Sequence, residues 1–572
     1  MNYKRSLKYL VFGLITLMLI VGATSCAPKP DTPPAEDVSS ITMLLPADPV
    51  AFNGIVVDTG YEQLIGELIY LSVADIDPNG IIFPEIATEI PTLENGGVEF
   101  DEENWTMNVT WKIRDDIQWS DGEQLTVDDI IFTWNAFADP ELGAWTEGVD
   151  YTDSVEKIDD YTFKVYYNTV YPGYKTQFGG ENFFVYPEHH CDASQGVYEW
   201  ECEFDPVSSG PYLLKEFVSN DHLTFVKNPN YYEEGKPSID QIIVRIVPDQ
   251  SVARSLMLSG DADHHMWPSD AIQNEYAASD NVKVEVSPTD RWVMRLFMNE
   301  AAHGTTDPID TPHPFFSDVR VRQAVRLAVD VDTIINDIFL GHGHPVWTEF
   351  FRPPYNVCDI PRPAFDPEAA KALLEEAGWT DTDNDGIREC HGCPYAAEGD
   401  LMKFEFAIYS EYGEELDLAQ QYLAENLQDI GMSPTLLSVE SAVLWDTVSG
   451  PEIQGRFDMD MWDDGYPGLD PTDNAMWYYY YSGAADPESG GWNVGRWSND
   501  DFDAYYDELF TLDEDYRKEL FCNMATILDA EVPQVLLFST LEVHGVSTRL
   551  KNTLPSANDP FTWNVADWTL GE

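Results

Sequence analysis

The loop Asp381-Thr382-Asp383-Asn384-Asp385-Gly386 carries carboxylates at alternate positions ahead of a glycine. That is the spacing of a calcium loop, in which hard oxygen donors converge on one ion. The Glu expected at the twelfth position is replaced by Gly392, and Glu389 is the nearest substitute. Asp381, Asp383 and Asp385 are therefore candidate ligands of a structural calcium, and no other cofactor is expected. Just beyond lies Cys390-His391-Gly392-Cys393, a spacing used in redox and zinc chemistry. No second C-x-x-C and no thioredoxin-like pattern accompany it, so a structural disulfide to Cys358 is the expectation. His189-His190 and His264-His265 are adjacent pairs. Neighbours on a strand point to opposite faces and rarely chelate one ion together. With 102 acidic residues, carboxylate pairs arise by number alone and do not indicate a hydrolase. The sequence has neither an HExxH zinc motif nor a GxSxG nucleophile turn. An exported hydrolase using carboxylates or a metal is the rival class, and no enzymatic activity is expected.

Cysteine also does chemistry at the N-terminus. Lys4, Arg5 and Lys8 precede an apolar run from Tyr9 to about Gly22, closed by Ala23-Thr24-Ser25-Cys26. The run is short for a membrane span, which needs about 20 residues. Cys26 after small residues resembles a bacterial lipobox, although Ala23 stands where Leu is usual. Residues 1–25 then read as a lipoprotein signal peptide, and residues 26–39 as a lipidated Cys26 with a tether. The tether APKPDTPPAED has four prolines and no large apolar residue, so it stays extended. Acyl chains supply membrane affinity while the body stays in water. The expected location is extracytoplasmic, in the periplasm or on the outer face of the membrane, with contact to the membrane through the lipid alone.

The remaining chain of about 540 residues exceeds what one core supports, so two or more lobes are expected. A formal net charge of -71 repels phosphate backbones, which excludes nucleic acid as a partner. Six cysteines remain after Cys26, out of 7, and an even number in an exported chain points to disulfides, Cys191 with Cys202 being a natural local pair.

Any site must be positioned by the following elements. Trp105, Met107, Val109, Trp111 and Ile113 alternate with polar residues, the period of a half-buried strand. Thr126, with Asp129 three residues on, caps a helix carrying Ile130, Ile131, Trp134 and Phe137. Val155 to Tyr167 reads as a hairpin. Helices are expected over Ser317 to Val329 and from Asp366-Pro367-Glu368 to Gly378. Strand Phe404 to Ile408, helix Glu415 to Ile430 and strand Thr435 to Val439 form a parallel unit, and Gln534 to Phe538 is a buried strand. The class is α/β with mixed sheets.

Several blocks occur together in one order: Trp119-Ser120-Asp121-Gly122 before Leu125-Thr126-Val127-Asp128-Asp129; Ser209-Gly210-Pro211-Tyr212 and Asn228-Pro229-Asn230-Tyr231-Tyr232; Phe316-Ser317-Asp318-Val319-Arg320-Val321-Arg322-Gln323-Ala324; and Val532-Pro533-Gln534-Val535. In that order they closely resemble the peptide/nickel-type bacterial extracellular solute-binding proteins, family 5. The resemblance implies a two-lobed periplasmic-binding-protein-like fold of class II with an inserted domain and a ligand cleft between lobes. It places lobe I at 40–70, 207–300 and 535–572, the insert at 71–206 and lobe II at 301–534. It implies a monomer that captures a small solute and presents it to the permease subunits of an ABC importer. A sensor's ligand-binding partner is a third reading of the same fold.

The resemblance also places Trp462-Asp463-Asp464-Gly465-Tyr466 along the cleft. Peptide-binding members carry an Asp three residues after that Trp for the ligand's α-amine. Here Gly465 holds the position, and adjacent Asp464 is the expected replacement. An upstream Arg used by some members is replaced by Met459. Carboxylates suit an amine, whereas carboxylates with aromatic faces equally suit sugars. Oligopeptide is the leading solute class and oligosaccharide the alternative. Trp292, near the crossing between lobes, and His265 are further cleft candidates. Trp477 and the run Tyr478 to Tyr481 offer either ring faces or core packing.

Overall fold

The computed structural model describes residues 38–55, 60–139, 147–180, 183–191, 200, 202, 205–286, 292–446, 448–465 and 470–571. Two large sheets organise the body. The first has seven strands, in the order Val282–Val286, Val543–Ser547, His264–Met266, Ser40–Leu45, Gln241–Ile246, His222–Lys227, Tyr212–Val218. Ser40–Leu45 runs parallel to both neighbours, and the other pairs are antiparallel. The second has six strands, in the order Gly343–Pro345, Gln534–Thr540, Trp292–Met298, Met459–Gly465, Lys403–Tyr409, Ser433–Val439. Both sheets are mixed.

The chain passes from the first sheet to the second between Val286 and Trp292, and returns between Thr540 and Val543. Both crossings correct the expected lobe boundaries. Strand Trp292–Met298 pairs with Met459–Gly465 and Gln534–Thr540, so it belongs to the second sheet and not to a first lobe ending at 300. Gln534–Thr540 likewise belongs wholly to the second sheet, where a boundary at 534/535 would cut it off. Apolar alternation fixes the faces of these strands, not the sheet they join.

Alternation explains the second sheet. Met294, Leu296 and Met461 enter a core on one face, while Phe297 and Trp462 enter a second core on the other. Parallel pairing of Lys403–Tyr409 with Ser433–Val439 across helix Glu414–Asp429 is as the sequence predicts. The insert carries a four-stranded antiparallel sheet, in the order Val98–Asp101, Thr106–Lys112, Thr162–Tyr167, Thr152–Asp159. Its Val109, Trp111 and Phe163 share one continuous core with Ile41 and Met43 of the first sheet. Strand Thr106–Lys112 alternates as expected, but Trp105 lies outside it at φ 55°, half exposed, with its indole donating to the Phe510 carbonyl. The Thr126–Asp129 capping box on helix Val127–Phe137 is present in both directions, a feature worth about 1 kcal/mol.

Cys191–Cys202 is bonded as expected. The other expectation is corrected: Cys358 pairs with Cys522, and Cys390 with Cys393. Tyr355 and Phe521 pack at 5.3 Å and bring the Cys358 segment against helix Glu514–Glu531, which carries Cys522. The turn at Gly392 (φ 82°) folds Cys393 back onto Cys390. Among the described residues no helix is long and apolar enough to cross a membrane. Cys26, the signal segment and most of the tether lie outside them.

Candidate functional site

The C-terminal end of Met459–Gly465 and the N-terminal end of Trp292–Met298 lie side by side, Trp292 opposite Gly465 and Val293 opposite Asp464. This edge opens onto a cavity of about 500 Å³ lined in part by Trp292, Trp462, Asp463, Asp464 and Thr540. The remaining lining is aromatic: Tyr409, Trp445, Tyr478 and Trp492. The rings form a connected arc. Tyr409 meets Trp445 at 5.0 Å, Trp445 meets Trp462 at 5.6 Å, Trp462 meets Trp492 at 6.5 Å, and Trp492 stacks on Tyr478 at 6.4 Å. Trp462 is held from behind by Phe297, stacked at 4.2 Å.

A second cavity of about 760 Å³ shares Trp292, Asp463 and Thr540 with the first. Its other wall comes from the first-sheet side, through Gln63, Met266, Trp267, Gln273, Glu542 and Phe561. The two cavities together form a cleft with one wall from each lobe, at the crossing Thr540–Val543. A third cavity of about 680 Å³ lies between the insert and helix Glu514–Glu531, away from these residues.

Tyr479 donates its hydroxyl to Asp464 Oδ2, and the Gly465 amide donates to Oδ1 at 2.8 Å. Burial pushes the Asp464 carboxyl up to about 6, against the Tyr479 hydroxyl and the Arg295 charge. Asp463 accepts the Tyr409 hydroxyl at 2.6 Å and is also raised by burial. Arg295 is fully buried under the ring of Tyr479, 4.3 Å away, and pairs with the equally buried Glu349 at 2.6 Å. Among the described residues no lysine, arginine or histidine lines the aromatic cavity, and neither Asp463 nor Asp464 is in an ion pair.

The structure thus brings Trp292, Trp462, Asp463 and Asp464 together, with Gly465 at the strand end. Tyr466 lies outside the described residues. Trp292 is 44% exposed, whereas Trp462 is only 3% exposed, so replacing Trp462 would also strip the core. His265 is corrected: it is buried in strand His264–Met266, its Nδ1 sits 2.8 Å from the Tyr276 hydroxyl, and it lines neither cavity. Its place is taken by Met266 and Trp267. The adjacent His264 points the other way, onto His544 and Phe561. Of the run Tyr478 to Tyr481, Tyr478 lines the cavity, and Tyr479 and Tyr480 are core. Trp445, Trp492 and Tyr409 carry no local sequence signal, because separate loops and strands bring them in.

Asp381, Asp383, Asp385 and Glu389 place one oxygen each within 4.8 Å of one another, so Glu389 does reach the loop. Glu389 also accepts from the Thr382 amide at 3.0 Å. His303, His313 and Asp458 also cluster. There, however, His313 Nδ1 accepts the Phe315 and Phe316 amides, which leaves its proton on Nε2, facing Asp458. A ring nitrogen that carries a proton cannot ligate a metal.

The family described as bacterial extracellular solute-binding proteins, family 5 Middle, matches residues 84–487. The oligopeptide-binding protein AppA of Bacillus subtilis is 25% identical over 424 residues, covering 71% of this chain and 70% of AppA. The nickel-binding periplasmic protein of Escherichia coli is 23% identical over 413 residues, covering 70% and 71%. The structure of HbpA2 from Haemophilus parasuis superposes with a TM-score of 0.74 at 18% identity, covering 93% of this chain and 100% of that one. AppA and the Escherichia coli protein are both named as binding proteins. With its mixed sheets, interlobe cleft and family match over most of its length, the chain belongs to the family 5 extracellular solute-binding proteins of ABC transporters.

Proposed function

We propose that this chain captures an oligopeptide-like solute in the interlobe cleft and delivers it to the permease of an ABC importer, without enzymatic activity and as a monomer. It would be tethered outside the cytoplasmic membrane through a lipid on Cys26. The observation that carries this reading is the pairing of Asp463 and Asp464 with an open aromatic cavity at the lobe crossing. The carboxylates suit an amine, and the rings suit side chains. The similarity to AppA, named as an oligopeptide-binding protein, supports the same class. The ring arc also supports an oligosaccharide as the alternative solute.

Calorimetry on residues 40–572 tests it with a mixed pentapeptide library, free or N-acetylated. Free peptides should bind and acetylated ones should lose at least tenfold in affinity. Trp292→Ala, at an exposed lining position, should weaken binding several-fold without shifting the melting temperature. Binding of linear oligosaccharides, with none of peptides, would transfer the assignment to sugars.

A further inference from the structure

Strand His264–Met266 ends at the wall of the cleft, and the next residue breaks its pattern. Alternation would send Trp267 to the side of His265, whose ring packs on buried Tyr276. Instead Trp267 takes φ 53°, a left-handed conformation that bulky residues rarely adopt. It does so directly before Pro268, although a following proline favours extended backbone. The turn carries the indole into the wall of the 760 Å³ cavity, where Trp267 is 41% exposed. There the ring is fixed from several sides. Its Nε1 donates to Glu542 Oε1 at 3.2 Å, and the Trp267 carbonyl accepts Gln250 Nε2 at 3.3 Å. Tyr61 packs on it at 5.8 Å. Gly60, at φ 77°, leaves room for it, since a Cβ there would lie 3.1 Å from Trp267 Cη2. Backbone strain and exposed apolar surface both cost free energy, and strained residues of this kind concentrate at ligand clamps.

The second sheet contributes Trp292, 44% exposed, to the same cavity. Around the two indoles stand the apolar side chains of Leu64, Met266, Pro268, Val543 and Phe561. The charged lining residues are Asp463, Glu542 and Asp559, and among the described residues no lysine, arginine or histidine lines this space. Glu542 and Asp463 already accept the Trp267 indole and the Tyr409 hydroxyl. Such a space suits a flat apolar group that can meet an indole with its face or edge, and it repels an anionic one.

We propose that Trp267 is a specificity-determining residue: with Trp292 it forms an aromatic jaw, one indole from each lobe, that takes an aromatic side chain of the captured peptide and disfavours an acidic one. The inference rests on peptide capture in the cleft and adds which side chains are preferred there.

The probes are three pentapeptide mixtures built from Gly, Ala and Ser, each carrying Phe, Lys or Glu at one varied position, titrated calorimetrically into residues 40–572. The Phe mixture should bind at least tenfold more tightly than the Glu mixture, and more tightly than the Lys mixture. Trp267→Gly removes the ring and adopts the left-handed backbone without strain. It should weaken the Phe mixture at least fivefold, change the Lys and Glu mixtures less than twofold and keep the wild-type melting temperature. Trp267→Phe should restore most of the lost affinity, which loss of a merely structural side chain would not require. If the glycine variant fails to fold, Trp267→Leu should abolish the preference for Phe over Lys. Equal binding of the three mixtures, a preference for Lys, or Phe binding unchanged by Trp267→Gly would overturn the proposal and leave peptide capture standing. Binding of none of the mixtures would overturn both.

Discussion

Asp464 sits where burial and ligand chemistry oppose each other. Its carboxyl is pushed up to about 6 by burial, while Tyr479 and Arg295 pull it down. A raised carboxylate pKa means the folded protein prefers the protonated form, so ionised Asp464 costs stability at neutral pH until a cation arrives. Affinity for a free-amine peptide should therefore be flat near pH 7 and fall by up to tenfold per pH unit below about 6. Calorimetry between about pH 5 and 7.5 checks this, and a flat profile would remove Asp464 as the amine partner. The sequence pointed to Asp464 because it neighbours the family's amine position. His265 failed as a candidate for a simple reason: strand His264–Met266 is interior to its sheet, and alternation turned the ring onto Tyr276. Trp445 and Trp492 were not legible as cavity residues, since only the fold brings them beside Trp462.

Elements were read best where one period governed them. Thr106–Lys112, the capped helix Val127–Phe137 and the unit from Lys403 to Val439 are all local patterns. Long-range pairing was not legible, and the disulfides show why. Cys358 and Cys522 are 164 residues apart and meet only because the Tyr355 segment packs on helix Glu514–Glu531. Closing so long a loop stabilises by about 4–5 kcal/mol in the chain-entropy model, whereas the Cys390–Cys393 loop spans only 3 residues. Cys358→Ala/Cys522→Ala should thus lower the melting temperature clearly more than Cys390→Ala/Cys393→Ala in thermal scans. Equal shifts would show that the long bridge constrains little.

For the molecule as a whole, two crossings join the sheets, and the insert shares its core with the first of them. Trp267 and Glu542 on the first-sheet side and Trp292 and Asp463 on the second-sheet side line one cavity beside the crossing Thr540–Val543. The sequence announced two lobes and an insert, but misplaced the strands next to the crossings, because apolar runs do not reveal which sheet they join. A cleft of this kind exists to hold a solute, and native mass spectrometry of residues 40–572, purified without denaturant, asks whether it does. Mass additions matching short peptides, reduced on Trp292→Ala, are the expected result. Hexose-spaced additions, or additions that survive Trp292→Ala unchanged, would contradict capture of such solutes at this cavity.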